Sequence, residues 1–198
     1  MKVLVITAHP RKDSLTMEIA NRVISGISDA GHTYELLDLY EENFNPVLSS
    51  EDEPDWDNPY KEYSDDIMRE ARRIESSDAI VFIFPVWWFT PPAIMKGYID
   101  RVWNYGLFYG NENKFPVKTM RWIALTGASQ SQLEKRNLDK MMVHHMNVGL
   151  AGYIGVEDSK VHLMTNTFGR FKDNVEANKE KHFRNLLVEA YEIGYNLK

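Results

Sequence analysis

Three short segments carry polar, aromatic or small residues in patterns that can bind a ligand. The first, TAHPRKDS, ends at Ser14, a residue suited to cap the helix that follows, and His9 and Arg11 bring donor or positive groups nearby. The free amides of Leu15 and Thr16 at such a helix start can hold an anion. The segment therefore indicates a phosphate site, with an ordinary helix cap and a turn histidine as the alternative.

The second segment, FPVWWFTPP, crowds aromatic rings between prolines directly after an apolar run. Indole and phenyl faces held in this way form a preset surface on which a flat ligand can stack. For Trp87, Trp88 and Phe89, packing in a core or an interface is the alternative. The position of the rings after a strongly apolar strand favours the ligand site.

The third segment, LTGASQSQ, offers the small residues Thr126, Gly127, Ala128 and Ser129, whose backbone amides can approach a ligand closely. An ordinary loop is the alternative here. Neither G-x-G-x-x-G nor G-x-x-x-x-G-K-[ST] follows the first strand, which argues against a dinucleotide fingerprint and a P-loop.

The elements that must position these segments alternate between strand and helix. Strands are predicted over 2–7, 32–39, 78–84, 119–127 and 153–164, and helices over 14–31, 65–77, 93–103, 137–152 and 173–195. Near-continuous apolar strands predict an α/β fold with a parallel sheet covered by helices on both faces, and strand 78–84 at its centre. Each of the three segments leaves the carboxyl end of a strand, where ligands of such folds bind.

Composition is that of one globular domain spanning residues 1–198, with 43% hydrophobic and 26% charged residues. The chain has no cysteine, which excludes disulfides and thiolate nucleophiles. A net charge of −6 argues against nucleic acid as a partner, and we expect a cytoplasmic protein without membrane insertion. No metal site is predicted: the acidic stretch 51–57 has the composition of a solvated loop, and the adjacent His144 and His145 cannot form an i, i+4 pair.

Four motifs together carry a resemblance to a known family. VLVITAHPRKDSLT, NFNPVLS, FPVWWFTPPAIMKGYIDRVWNYGLFY and ALTGASQS are similar, in order and spacing, to the NAD(P)H:quinone oxidoreductase family of flavodoxin-like flavoproteins, which includes ancillary reductases of potassium-efflux systems. The similarity spans residues 2 to about 155. It implies a flavodoxin-like, five-stranded parallel sheet and a bound flavin.

The resemblance also implies roles for individual residues. The first segment would hold the flavin phosphates, the second would lie against the isoalloxazine ring, and the third would contact its pyrimidine edge. The amides of Gly127 and Ala128 would be the catalytic groups that stabilise negative charge developing there. The residues implied to bind the cofactor are His9, Ser14, Leu15, Thr16, Pro85, Val86, Trp87, Trp88, Phe89, Thr126, Gly127 and Ala128.

By this resemblance the protein is an enzyme that transfers hydride from NAD(P)H to quinones or similar flat acceptors by a ping-pong mechanism. The alternative is a regulatory flavoprotein with low turnover that binds a membrane transport partner. The chain departs from the animal quinone reductases because neither tyrosine nor histidine occurs between Thr126 and Asp139.

We further expect a homodimer, with a substrate pocket formed by Trp103, Tyr105, Phe108 and Tyr109 across two subunits, as the resemblance implies. FAD is favoured over FMN because the segment 166–180, beyond the fifth strand, could cover an adenine. Arg170 and Lys172 are the candidates to lie near its ring or phosphate, with a plain loop before the last helix as the alternative.

Overall fold

A five-stranded parallel sheet forms the centre of the computed structural model, which describes residues 1–198. Its strands are β1 (Lys2–Thr7), β2 (Thr33–Asp38), β3 (Ala79–Pro85), β4 (Thr119–Leu125) and β5 (Asp158–Met164). The strand order is β2-β1-β3-β4-β5, and every neighbouring pair is parallel. Central β3 is buried along its length up to Phe84, as its continuous apolar sequence predicts. The strand order is that of flavodoxin-like folds, so the predicted α/β fold is confirmed.

Helices cover both faces of this sheet. They are α1 (Leu15–Asp29), α2 (Asp65–Glu75), α3 (Ala93–Val102), α4 (Gln130–Glu134), α5 (Leu138–His144) and α6 (Val175–Tyr195), with a π-helical segment over His145–Gly152. Residues of α1 and α6 pack with one sheet face, and residues of α2, α3 and α5 pack with the other. None of the helices combines the length and apolar character that crossing a membrane requires.

Two glycines bring α1 and α6 into close contact. A Cβ on Gly26 would lie 2.2 Å from the backbone oxygen of Tyr191, and a Cβ on Gly194 would lie 2.1 Å from that of Val23. Any larger residue would separate the backbones of the two helices. These glycines therefore fix α6 against the helix whose N-terminus faces the candidate site.

The segment after β4 differs from its sequence prediction in three ways. Helix α4 was not predicted, although Ser129 and Gln132 form a complete capping box at its start. The helix predicted over 137–152 is α-helical only to His144, since Gly149 and Gly152 lower the helix propensity of the rest. Strand β5 begins at Asp158 instead of Tyr153, because Gly155, at φ +84°, makes a turn.

A buried ion pair holds the long excursion between β2 and α2 on helix α3. Asp52, expected in a solvated loop, is fully buried, and its Oδ2 accepts a 2.7 Å hydrogen bond from Arg101 Nη2. The same guanidinium donates to Asp66 at 3.0 Å and to the carbonyl of Asn45 at 2.7 Å. The excursion is therefore attached to α3, although most of its residues are exposed.

Candidate active site

A cavity of about 300 Å³ lies where β1, β3 and β4 end, and we call it the strand-end cavity. All three segments singled out in the sequence contribute to it. Its lining residues are His9, Arg11, Ser14, Leu15, Thr16, Pro85, Val86, Trp87, Leu125, Gly127, Thr167 and Phe168. Eight of the twelve residues expected to bind the cofactor are thus brought together, as the convergence of parallel strand ends requires.

The start of α1 has the chemistry of an anion site. Ser14 caps the helix, with its Oγ accepting from the amide of Met17 at 3.3 Å, whereas the amides of Leu15 and Thr16 have no acceptor within the protein. His9 Nδ1 lies 3.1 Å from the amide nitrogen and 3.2 Å from the carbonyl oxygen of Arg11, while its Nε2 has no partner within the protein and can donate when it carries the proton. The free amides, the imidazole N–H and the helix dipole can together hold a phosphate.

The aromatic turn after β3 is a tight and strained reversal of the chain. Trp87 and Thr90 exchange backbone hydrogen bonds of 3.1 and 3.2 Å, and the two residues between them have positive φ, 53° at Trp88 and 64° at Phe89. Bulky residues rarely adopt this conformation, which costs about 1–2 kcal/mol each. The turn divides the predicted stacking surface: Trp87 faces the strand-end cavity, Phe89 faces another cavity, and Trp88 is 93% exposed.

The turn after β4 presents one free amide to the site. Thr126 N donates to Met164 O at 2.8 Å, and Ala128 N donates to the side chain of Thr126 at 3.3 Å. The amide of Gly127 has no acceptor within the protein. Of the two amides expected to act on developing charge, that of Gly127 is therefore the one free to donate. Thr126 itself is buried and lines neither cavity at this turn.

A second cavity, of about 420 Å³, shares Gly127 and Phe168 with the first, and we call it the cationic cavity. Apolar and positively charged side chains line it together. Its residues are Phe89, Gly127, Ala128, Gln132, Leu133, Lys135, Arg136, Leu138, Phe168 and Arg170. The two cavities meet at the contact between Gly127 and the ring of Phe168.

The four aromatic residues expected in a substrate pocket do not lie together. Trp103 and Phe108 are core residues: Trp103 packs edge-on against Phe82 and Phe115, with ring centroids 6.0 and 5.3 Å apart. Within one subunit they are therefore buried, because the large faces of their rings complete the core beside β3 and β4. Tyr105 and Tyr109 remain as pocket residues.

Tyr105 and Tyr109 face a third cavity, of about 650 Å³, which we call the aromatic cavity, together with Trp56, Gly110 and Tyr153. The rings form a chain of edge contacts, with centroids 5.3 Å apart for Trp56 and Tyr105 and 5.9 Å apart for Tyr109 and Tyr153. Burial, and to a lesser extent the phenols of Tyr153 and Tyr105, raise the pKa of Tyr109, so its hydroxyl stays protonated at neutral pH. The cavity thus combines flat apolar walls with a hydrogen-bond donor.

Sequence reasoning missed several residues of the two joined cavities. Thr167 and Phe168 lie in the segment 166–180 that was expected to cover an adenine, but neither residue was singled out there. Of the two candidates named in that segment, Arg170 lines the cationic cavity and Lys172 lines neither cavity. Lys135 was also missed. The available signal for Lys135 and its neighbour Arg136 was the departure from the family pattern between Thr126 and Asp139, where both charges stand.

Comparison with known proteins gives the family. The sequence model of the family with a flavodoxin-like fold matches residues 1–187. YcaK, an uncharacterized NAD(P)H oxidoreductase of Escherichia coli (strain K12), is 39% identical over 166 residues, which cover 84% of each chain. An uncharacterized NAD(P)H oxidoreductase of Haemophilus influenzae is 35% identical over 169 residues, covering 82% of this chain and 83% of that protein.

Among solved structures, the NAD(P)H:quinone oxidoreductase from Methanothermobacter marburgensis superposes with a TM-score of 0.85 at 27% identity, covering 100% of this chain and 98% of that one. The sequence and structure comparisons both give NAD(P)H oxidoreductases, and they confirm the enzyme class that the motifs implied. The chain belongs to the flavodoxin-like family, among its NAD(P)H oxidoreductases.

Proposed function

We propose that the protein is a flavin-dependent oxidoreductase that passes hydride from NAD(P)H to a quinone or a similar flat acceptor. The observation that carries this proposal is the strand-end cavity, in which a capped helix start with free amides faces a flat apolar turn. These two surfaces suit a ligand that combines a phosphate, held by the helix start, with a planar ring system, held by the turn. Bound flavin would supply the two-electron chemistry.

The residues present fit a flavin in position and in chemistry. Ser14, Leu15 and Thr16 can hold its phosphate, while Pro85 and Trp87 offer the apolar wall for its ring. Because the turn at 87–90 is closed by its own hydrogen bonds, that wall exists before a ligand binds. The free amide of Gly127 can donate to an oxygen or nitrogen on which negative charge develops.

We favour FAD over FMN. Phe168, in the loop after β5, is 65% exposed, and the guanidinium of Arg170 lies 5.0 Å from its ring centroid. The adenine of FAD can stack on such an exposed ring, and the cation beside the ring can pair with the diphosphate of FAD. Release of the cofactor by denaturation and its chromatographic separation test this choice, which FMN as the sole species would overturn.

Turnover of the purified protein tests the function itself. Because donor and acceptor would occupy the same place in turn, NAD(P)H oxidation with a panel of quinone, azo and nitro acceptors should give parallel double-reciprocal lines, the ping-pong pattern. Intersecting lines would indicate two separate sites. A protein that binds neither FMN nor FAD contradicts the proposal. Flavin binding with very slow turnover would support the regulatory alternative instead.

A homodimer is part of the proposal. Trp56, Tyr60 and Tyr153 expose most of their side chains, more large rings than an isolated subunit would leave in water. Trp56 and Tyr153 also line the aromatic cavity, so a second subunit covering them would close this cavity. Light scattering at micromolar concentration should give twice the mass of one chain, and a single chain's mass would refute the dimer.

A further inference from the structure

The cationic cavity has a charge balance opposite to that of the protein as a whole. The chain has 29 acidic and 23 basic residues, yet the cavity lining holds three cations and no acid. The floor between these charges is apolar, formed by Phe89, Leu133, Leu138 and Phe168. Such a lining suits a ligand with a flat apolar body and a negative group.

Two of the three cations are free to meet such a group. Lys135 and Arg136 take part in none of the salt bridges of the protein. Their neighbour Glu134 instead accepts a 2.9 Å hydrogen bond from Gln130. The third cation, Arg170, already lies over the ring of Phe168, where the proposed adenine and diphosphate would use it, so only Lys135 and Arg136 are assigned to the acceptor.

The backbone around Lys135 and Arg136 is well defined. The capping box of Ser129 and Gln132 starts helix α4, which ends at Glu134, and Asn137 then takes a left-handed conformation at φ 53° that starts α5 in a new direction. The two charges stand at this corner, on a cavity that shares Gly127 and Phe168 with the strand-end cavity. A ligand seated beside the proposed flavin can therefore reach them.

We propose that the cationic cavity selects electron acceptors whose flat ring system bears an anionic group, with Lys135 and Arg136 contacting its sulfonate, carboxylate or phosphate oxygens. Phe89, Leu133 and Leu138 hold the ring, and the two charges favour the anion over a neutral ring of the same shape. This inference rests on the proposed function, because it assigns the acceptor of that reaction.

A binding experiment tests the selection without turnover. Isothermal titration of the flavin-loaded protein compares 2-naphthalenesulfonate with its neutral counterpart 2-naphthol. The native protein should prefer the sulfonate, and Lys135→Gln/Arg136→Gln should reduce this preference by about five- to tenfold, the size expected for two exposed ion pairs. Added NaCl should reduce it as well. An unchanged preference in the double variant would overturn the proposal.

The matched control is Arg72→Gln/Lys140→Gln. Both residues are exposed, form no salt bridge and lie outside the cationic cavity, so this variant removes the same net charge from elsewhere. It should keep the preference for the sulfonate. An equal loss in both double variants would show that the whole-protein field, and not the cavity, attracts the anion.

Turnover measurements show whether Lys135 and Arg136 contact the electron acceptor or the NAD(P)H donor. In Lys135→Gln/Arg136→Gln, the ratio of kcat/KM for 1,4-naphthoquinone-2-sulfonate to that for 2-methyl-1,4-naphthoquinone should fall by a similar factor. A change only in the preference for NADPH over NADH would overturn the proposal, because the charges would then hold the donor's phosphate. Failure to oxidise NAD(P)H with any acceptor would overturn the proposed function alone, and charge-dependent sulfonate binding would still support the site.

Discussion

The ring of Phe168 lies directly on Gly127, so that a Cβ at this glycine would stand 2.2 Å from Cε2 of the ring. Gly127 follows β4 and Phe168 follows β5, and both residues line the strand-end cavity as well as the cationic cavity. Their contact is therefore the partition between the two spaces. Because Phe168 is mostly exposed, it is the member of the pair that can move.

Gly127→Ala should push the Phe168 ring out of place and reshape both cavities. We expect flavin affinity to fall by about tenfold, in line with overpacking costs of about 1–3 kcal/mol. Fluorescence titration of the flavin-free protein measures it. Gly127→Ala/Phe168→Ala removes the clash and should recover part of the loss. Equal affinities for the single and double variants would show that the added methyl group acts by another route.

Ser14 can be tested for capping and for anion binding separately. Ser14→Ala loses the hydrogen bond to the amide of Met17 and should lower the free energy of unfolding by about 1 kcal/mol. Ser14→Asp keeps a capping oxygen, and hence the stability, but places a negative charge at the proposed phosphate. It should therefore weaken flavin binding more than Ser14→Ala does, by about tenfold or more. Urea unfolding gives the free energy of unfolding, and flavin titration gives the affinity. The reverse ranking of affinities would mean that the phosphate binds elsewhere.

Asp52→Asn should destabilise the protein strongly and flatten its pH dependence. Burial alone would raise the pKa of the Asp52 carboxyl, but hydrogen bonds from Arg101 and Ser64 outweigh it and hold the pKa below its ordinary value. A carboxyl with a lowered folded-state pKa stabilises the protein above its unfolded pKa of about 3.9, and this contribution is lost as pH falls through the folded pKa.

Breaking such a buried pair costs about 3–5 kcal/mol at neutral pH. Urea unfolding between pH 3 and 7 should show this loss in Asp52→Asn, with a smaller decline toward acid than in the native protein. Asp100→Asn, which breaks the exposed pair with Lys96 on the same helix, is the control and should change stability by less than about 1 kcal/mol. Similar effects of the two variants would mean that burial of Asp52 contributes nothing.

Trp88→Asn should raise the free energy of unfolding by up to about 1 kcal/mol. Trp88 has a φ of 53° and is almost fully exposed, so asparagine relieves backbone strain and gives up little packing. Phe89→Asn is the matched comparison: its φ is 64°, but its ring packs against the core, so we expect net destabilisation. Thermal and urea unfolding of both variants test whether the two changes in the free energy of unfolding have opposite signs.

The sequence predicts well what depends on local pattern. The apolar run of β3 places this strand at the centre, and the strand ends bring His9, Trp87 and Gly127 to one cavity. Contacts between distant loops leave no such pattern. The partition formed by Phe168 depends on how two turns pack, and the burial of Asp52 depends on an arginine 49 residues away. Composition alone therefore indicated a solvated acidic loop there.

The pair of Asp52 and Arg101 also sets an order of assembly during synthesis. A carboxylate buried without its partner costs several kcal/mol. We therefore expect the excursion between β2 and α2 to pack into place only after α3 has left the ribosome. About half of the chain must be made before Trp56 can take its place in the aromatic cavity. We therefore expect the nascent protein to complete one wall of this cavity only after the central strand and α3 have formed.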